Sequence, residues 1–199
     1  MITTYCHIRN KTILLKGETI FSNKQSLLGD FLINAYDFLK PNYPKFYKMD
    51  NLSKLGFLAA EVLLRDKTIK DYPTDAVAVV LSNATASLDT DYRFQQSAEN
   101  VASPALFVYT LANIVAGEIC IRHNITGENA FFVTPAFDAE LLHLYTNSLL
   151  AQDDIHACLT GWVNVLDEQH DVFLYLTEKQ HHNTGIEHTA SALTKLYTQ

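Results

Sequence analysis

Asp89-Thr90-Asp91 sets two carboxylates two positions apart, a spacing that lets both reach one divalent cation from a loop. The simpler reading of the same triplet is a solvated turn. His181, His182 and His188 gather imidazoles, which commonly bind transition metals. No cysteine or carboxylate falls at ligand spacing beside them, so they read as exposed histidines of a polar tail. Thr134 offers a hydroxyl, but no histidine lies within a few residues to act as its base, and it reads as a strand threonine. His143 is a lone histidine on a helical stretch and reads as filler rather than catalyst. Gly127-Glu128-Asn129 is no phosphate loop, and GxSxG, HExxH and CxxC do not occur. The run KPNYPKFYKMDNLSK is different: Lys40, Lys45, Lys48 and Lys54 stand against a single acid. Such a patch can steer an acidic partner, or it is a solvated loop whose lysines flank prolines. Nothing in these patterns predicts a catalytic residue, a metal site or a cofactor.

The elements that carry these residues follow from periodicity and punctuation. ILLKGETIF, with a turn at Lys16-Gly17-Glu18, predicts a small hairpin or one bent strand. Ser26–Leu39 is helical in pattern and is stopped by Pro41 and Pro44. Asp50 caps a helix whose Leu52, Leu55, Ala59, Val62 and Leu63 form one apolar stripe. Ala76–Leu81 is unbroken and apolar, the pattern of a strand buried on both faces of a parallel sheet. Ser82–Asn100 is polar and predicts a loop. Ser103-Pro104 pairs an N-cap with a first-turn proline. In the helix it starts, Ala112, Ala116 and Cys120 make a small-residue face, and Glu118 and Arg122 form an outward i,i+4 pair. Ala130–Thr134 is a strand, and Phe137–Gln152 a helix with Phe137, Leu141, Leu144 and Tyr145 on one side. Ile155–Leu166 and Val172–Leu176 form an antiparallel pair across Asp167–His170. The tail from Lys179 is polar, then weakly helical.

At 199 residues, 48% hydrophobic and 19% charged, the chain has the composition of one globular domain with a real core. A net charge of −7 gives no overall field for nucleic acid. Cys6, Cys120 and Cys158 are odd in number and mostly in apolar contexts, which predicts reduced thiols in a cytoplasmic protein. No apolar run reaches membrane-spanning length, and MITTYCHIRNK lacks a signal-peptide core, so a soluble chain is expected.

One stretch carries more information than composition. SPALFVYTLANIVAGEICIRHNITGENAFFVT (Ser103–Thr134), followed by Pro135-Ala136, reads as capped helix, turn, strand and the start of another helix. It resembles the segment leading to the nucleophile in the β-ketoacyl-acyl-carrier-protein synthases, condensing enzymes of the thiolase superfamily. MDNLSKLGFLAAEVLL, AVAVVLS, IHACLTGWVNVL and VFLYLTE resemble, in order, that family's early helix and its second, fourth and fifth core strands. The resemblance implies an α/β fold: a thiolase-like half-domain over residues 1–199, with a five-stranded mixed sheet and helices on both faces.

The resemblance also implies where the chain departs from its family. The family ends this strand in Thr-Ala-Cys, with the cysteine at a helix N-terminus as acyl acceptor. Here Ala136 stands in its place. The insertion between the fourth and fifth strands shrinks to Asp167–His170, and the half carrying the oxyanion-stabilising residues has no counterpart. A condensation needs a thiolate and preorganised donors, so the expectation is an accessory or structural subunit of a type II fatty-acid or polyketide system, of the pigment type, and not a condensing enzyme. The rival expectations are an acyltransferase completed by a partner chain and a binder of acyl chains in a vacated pocket at Ala136, Phe107 and Phe132. By resemblance, Lys45 and Lys48 would dock an acyl carrier protein. Phe131, Phe132 and Val133 would form the edge of a homodimer, or of a heterodimer with a full-length synthase, supported by Leu111–His123. Asp138, Glu140, His143, Asn147 and Gln152 make the following helix polar on one side, suited to water rather than to burial between two sheets.

Overall fold

In the computed structural model, which describes residues 1–65, 69–99, 101–179 and 185–199, the apolar run becomes a strand, Val77–Asn83, buried at every position. In chain order the strands are β1 (Ile2–Arg9), β2 (Thr12–Leu15), β3 (Glu18–Ser22), β4 (Val77–Asn83), β5 (Asn129–Val133), β6 (Ala157–Leu166) and β7 (Gln169–Glu178). They form one mixed sheet in the order β3-β2-β1-β7-β6-β4-β5. β4 lies parallel to both β5 and β6, and β6–β7 is antiparallel, as the short link requires. That link is tighter than expected: Leu166 pairs with Gln169 across two residues, with Asp167 at φ 55°.

The sheet has seven strands, where five were expected. The extra pair is the β2–β3 hairpin, which joins through β1; β1 in turn pairs antiparallel with β7, Cys6 opposite Leu174. Local pattern predicts the hairpin. It cannot predict a partner so far along the chain.

Helices cover both faces. α1 (Leu28–Leu39), α2 (Asn51–Leu64) and α5 (Ile114–His123) pack on one side around Phe31, Leu55, Phe57 and Ile119, all fully buried. α6 (Ala139–Leu150) and α7 (Ala190–Tyr197) cover the other, over Val80, Phe173 and Tyr175. α2 and α5 touch closely because Gly56 has no side chain: a Cβ there would meet Val115 at 2.4 Å. Of the expected small-residue face, Ala116, which is buried, and Cys120 lie on α5, while Ala112 precedes it.

Two further expectations are corrected. Leu88–Ala98 is a helix, α3, inside the stretch read as loop. Its buried positions are Asp89 and Thr90, so no apolar stripe reveals it. The helix begun at Ser103 is broken: α4 (Pro104–Val108) is capped by the Ser103 hydroxyl, which accepts from Leu106 N, and a turn separates it from α5. α6 is shorter than expected and buries Ala139, Leu142, Thr146 and Leu149, while Leu144 is 65% exposed.

Candidate functional site

Thr134-Pro135-Ala136-Phe137 links the C-terminal end of β5 to α6. Thr134 lies just past the strand: its N–H donates to Asn83 O at 2.9 Å, and its hydroxyl donates to Ala136 O at 2.9 Å. Both bonds fix the backbone, leaving Thr134 as a turn former. α6 begins at Ala139, and its N-cap is Asp138, whose Oδ1 accepts from Leu141 N at 2.9 Å. Ala136 is exposed and sits in the linker ahead of that cap. The positive end of the helix dipole is therefore met by an aspartate, not by residue 136. The D-x-x-L start is legible in the sequence as a cap, though it is easily read only as a polar interruption.

Beside Ala136 a shallow cleft of about 520 Å³ runs between Pro135, Glu140, Ala190, Ser191 and Thr194. Phe107 is not in its wall. That ring is 61% exposed and packs on Phe94 at 5.5 Å. Phe132 packs edge-on against Tyr145 at 4.9 Å, beneath α6. The residues expected to form one acyl pocket thus fall in separate places.

Among the described residues β5 is the last strand of the sheet and pairs only with β4. Phe131 and Phe132 are half-buried, while Val133 is 57% exposed. Lys45 and Lys48 lie on the turn Pro44–Lys48, just before α2. Both are exposed, but they differ: Lys45 Nζ lies 2.9 Å from Glu118 Oε2, and Lys48 has no ion pair among the described residues. Glu118 is buried and also accepts from the Tyr109 hydroxyl at 3.0 Å. Arg122, its expected partner, instead donates to Glu61 at 2.6 and 3.3 Å.

Asp89-Thr90-Asp91 is neither a metal loop nor a solvated turn. Asp89 is buried and accepts from Asn51 Nδ2 at 3.1 Å, Arg93 Nε at 3.1 Å and Asp167 N at 2.8 Å. Thr90 donates at 2.6 Å to Asp50, the α2 cap, whose burial raises its pKa. Among the described residues no group of three His, Cys, Asp or Glu could hold a metal ion.

His181 and His182 lie outside the described residues. His188 is buried, contrary to expectation, with Nδ1 2.8 Å from Asn147 Oδ1 and Nε2 3.3 Å from the Tyr175 hydroxyl. Burial, helped by nearby His143, lowers its pKa to about 4. Cys6 and Cys158 are buried and Cys120 partly so; burial raises all three thiols, Cys120 and Cys158 to about 11. None is a nucleophile in this state.

No family model and no curated protein matches the chain. Solved structures do. A chain of the ishigamide ketosynthase/chain length factor aligns at TM-score 0.64 with 15% identity, over 94% of this chain and 63% of that one. A ketosynthase in complex with its chain length factor from Xenorhabdus doucetiae aligns at 0.55 with 14% identity, over 78% and 71%. A type II polyketide synthase acyl-carrier protein in complex with its ketosynthase supplies a third match, at 0.61 with 12% identity, over 90% and 62%. The fold is therefore the thiolase-like fold of the ketosynthases and chain length factors. The chain spans under two thirds of the length of the first of these structures. Among the described residues no helix is long and apolar enough to cross a membrane.

Proposed function

We propose that this chain is a non-catalytic ketosynthase-like protein, an accessory subunit of a dissociated fatty-acid or polyketide system of the pigment type, cytoplasmic and paired with a full-length β-ketoacyl synthase. The observation that carries the reading is the setting of Ala136. A methyl group stands where the resemblance places the acyl-accepting thiol, and Asp138 occupies the helix end that would activate one. Losing an activated nucleophile removes several kcal/mol of transition-state stabilisation, roughly, because no covalent intermediate forms.

Pairing is supported by β5, an uncharged strand with one side unpaired, the kind of edge that proteins either protect or use. Solved neighbours that pair a ketosynthase with a chain length factor agree with such an arrangement. A second copy in place of the synthase is the homodimeric form of the same proposal. Carrier-protein docking falls to Lys48, with Lys45 partly neutralised by Glu118. The shallow cleft at Ala136, without Phe107, weighs against an acyl-chain binder.

The test is incubation of the purified chain with acyl-carrier thioesters, alone and mixed with a full-length synthase, followed by intact-mass analysis and light scattering. An unmodified chain that forms a dimer supports the reading. An acylated chain, or thioester turnover by the chain alone, overturns it.

A further inference from the structure

At the opposite end of the parallel strands from Ala136, where β4 begins and α1, α2 and α5 end, lies a cavity of about 680 Å³. That is the size of a small-molecule site. Its inner wall is apolar, from Leu39, Leu64, Ile69, Val77 and Ile125, all buried. Its rim is cationic.

Arg122 and Glu61 form a tight pair there and cancel in charge. Lys40, Arg65 and Lys70 are exposed at the rim and have no ion pair among the described residues. Asp66 and Lys67, adjacent in sequence, sum to zero formal charge. The three helix C-termini contribute roughly half a negative charge each. Three full cations exceed that by about one and a half charges, or by about half a charge when exposed Asp71, next to Lys70, is counted, so neutralising helix ends does not account for all of them. His123 also lines the space. Burial lowers its pKa, Glu61 opposes this, and Arg122 and Lys70 add to the lowering. Its buried Nε2 makes no hydrogen bond, Glu61 Oε1 being 3.4 Å away.

We propose that this cavity binds a small amphipathic anion, its carboxylate or phosphate held by Lys40, Arg65 and Lys70 and its apolar body against Leu64, Ile69 and Ile125. The complementarity is specific: an apolar floor selects the body, and unpaired rim cations select the sign. The site is independent of the accessory role and lies at the other pole of the sheet.

Isothermal titration with octyl phosphate, octanoate and octanol tests it. Both anions should bind at one site, and octanol at least tenfold more weakly. The tighter anion identifies the headgroup. The double variant Arg65→Glu/Lys70→Glu should weaken anion binding at least tenfold, while Lys195→Glu, on α7 at the other face of the sheet, leaves it unchanged. Should the double variant fail to fold, Lys70→Glu alone should give a smaller loss, and added salt should weaken anion binding to the wild-type chain. Octanol binding as tightly as the anions, no binding at millimolar probe, or unaltered affinity after charge reversal would overturn the proposal.

Discussion

Lys45 Nζ lies 2.9 Å from Glu118 Oε2, joining the turn before α2 to the buried side of α5. The contact is an ion pair that does not meet hydrogen-bond geometry. It gives Lys45 a structural duty that Lys48 lacks. Lys45→Ala leaves a buried carboxylate with Tyr109 as its remaining partner, a loss of about 1–3 kcal/mol. Lys48→Glu should cost under about 0.5 kcal/mol. Urea melts will separate the two, and capture of an acyl carrier protein should weaken for Lys48→Glu at unchanged stability. Equal stabilities for both variants would show that the ion pair does not matter.

A thiol introduced by Ala136→Cys tests whether the scaffold still activates position 136. Residue 136 precedes the α6 cap, and the Asp138 carboxylate stands between it and the helix end. The introduced thiol should keep a pKa of about 8.5 or higher. Iodoacetamide alkylation against pH reads this cleanly, because burial holds Cys120 and Cys158 near 11. A midpoint below about 7 would mean that the activating field survives.

Two buried histidines contribute to the acid sensitivity of the fold. Burial, with Arg9 adding to it, takes His7 to about 4, and burial with His143 takes His188 to about 4. Unfolded, each titrates near the ordinary 6.5. Between those values the unfolded chain binds more protons, so stability is full above pH 6.5 and falls as pH drops towards 4. Calorimetric melts should show this slope, and His188→Gln should flatten it. An unchanged slope in the variant would remove His188 from the account.

Val133→Lys places a charge on the exposed end of β5, where Val133 is 57% exposed. Edge lysines block strand-to-strand pairing. Light scattering should show the wild-type chain as a dimer and the variant as a monomer, with melting temperatures equal within a few degrees once dissociation is allowed for. A wild-type chain that stays monomeric at micromolar concentration contradicts the pairing.

β4 and the β6–β7 hairpin were legible because burial on both faces leaves an unbroken apolar run, and a short polar link forces an antiparallel return. α3 was not, because it is anchored by Asp89 and Thr90 through hydrogen bonds to Asn51, Asp50 and Asp167. A helix held by buried polar contacts has no stripe to read. His188 looked like part of a polar tail for the same reason: its partners Asn147 and Tyr175 are remote in the chain. At the candidate site Ala136 is plain in the sequence, but the failure of Phe107 to reach it is not. That depends on the break between α4 and α5, which a continuous helical pattern hides.

The pairing of β1 with β7 places β1 inside the finished sheet, between β2 and a strand more than 160 residues further along. The hairpin formed by residues 12–22 and its neighbour β1 join the rest of the layer only when Val172–Thr177 pairs with β1. Contacts so distant along the chain make closure slow. Until that pairing forms, residues 2–22 present a β-rich segment with an open edge, and a chaperone that shields it should raise the yield of refolded protein.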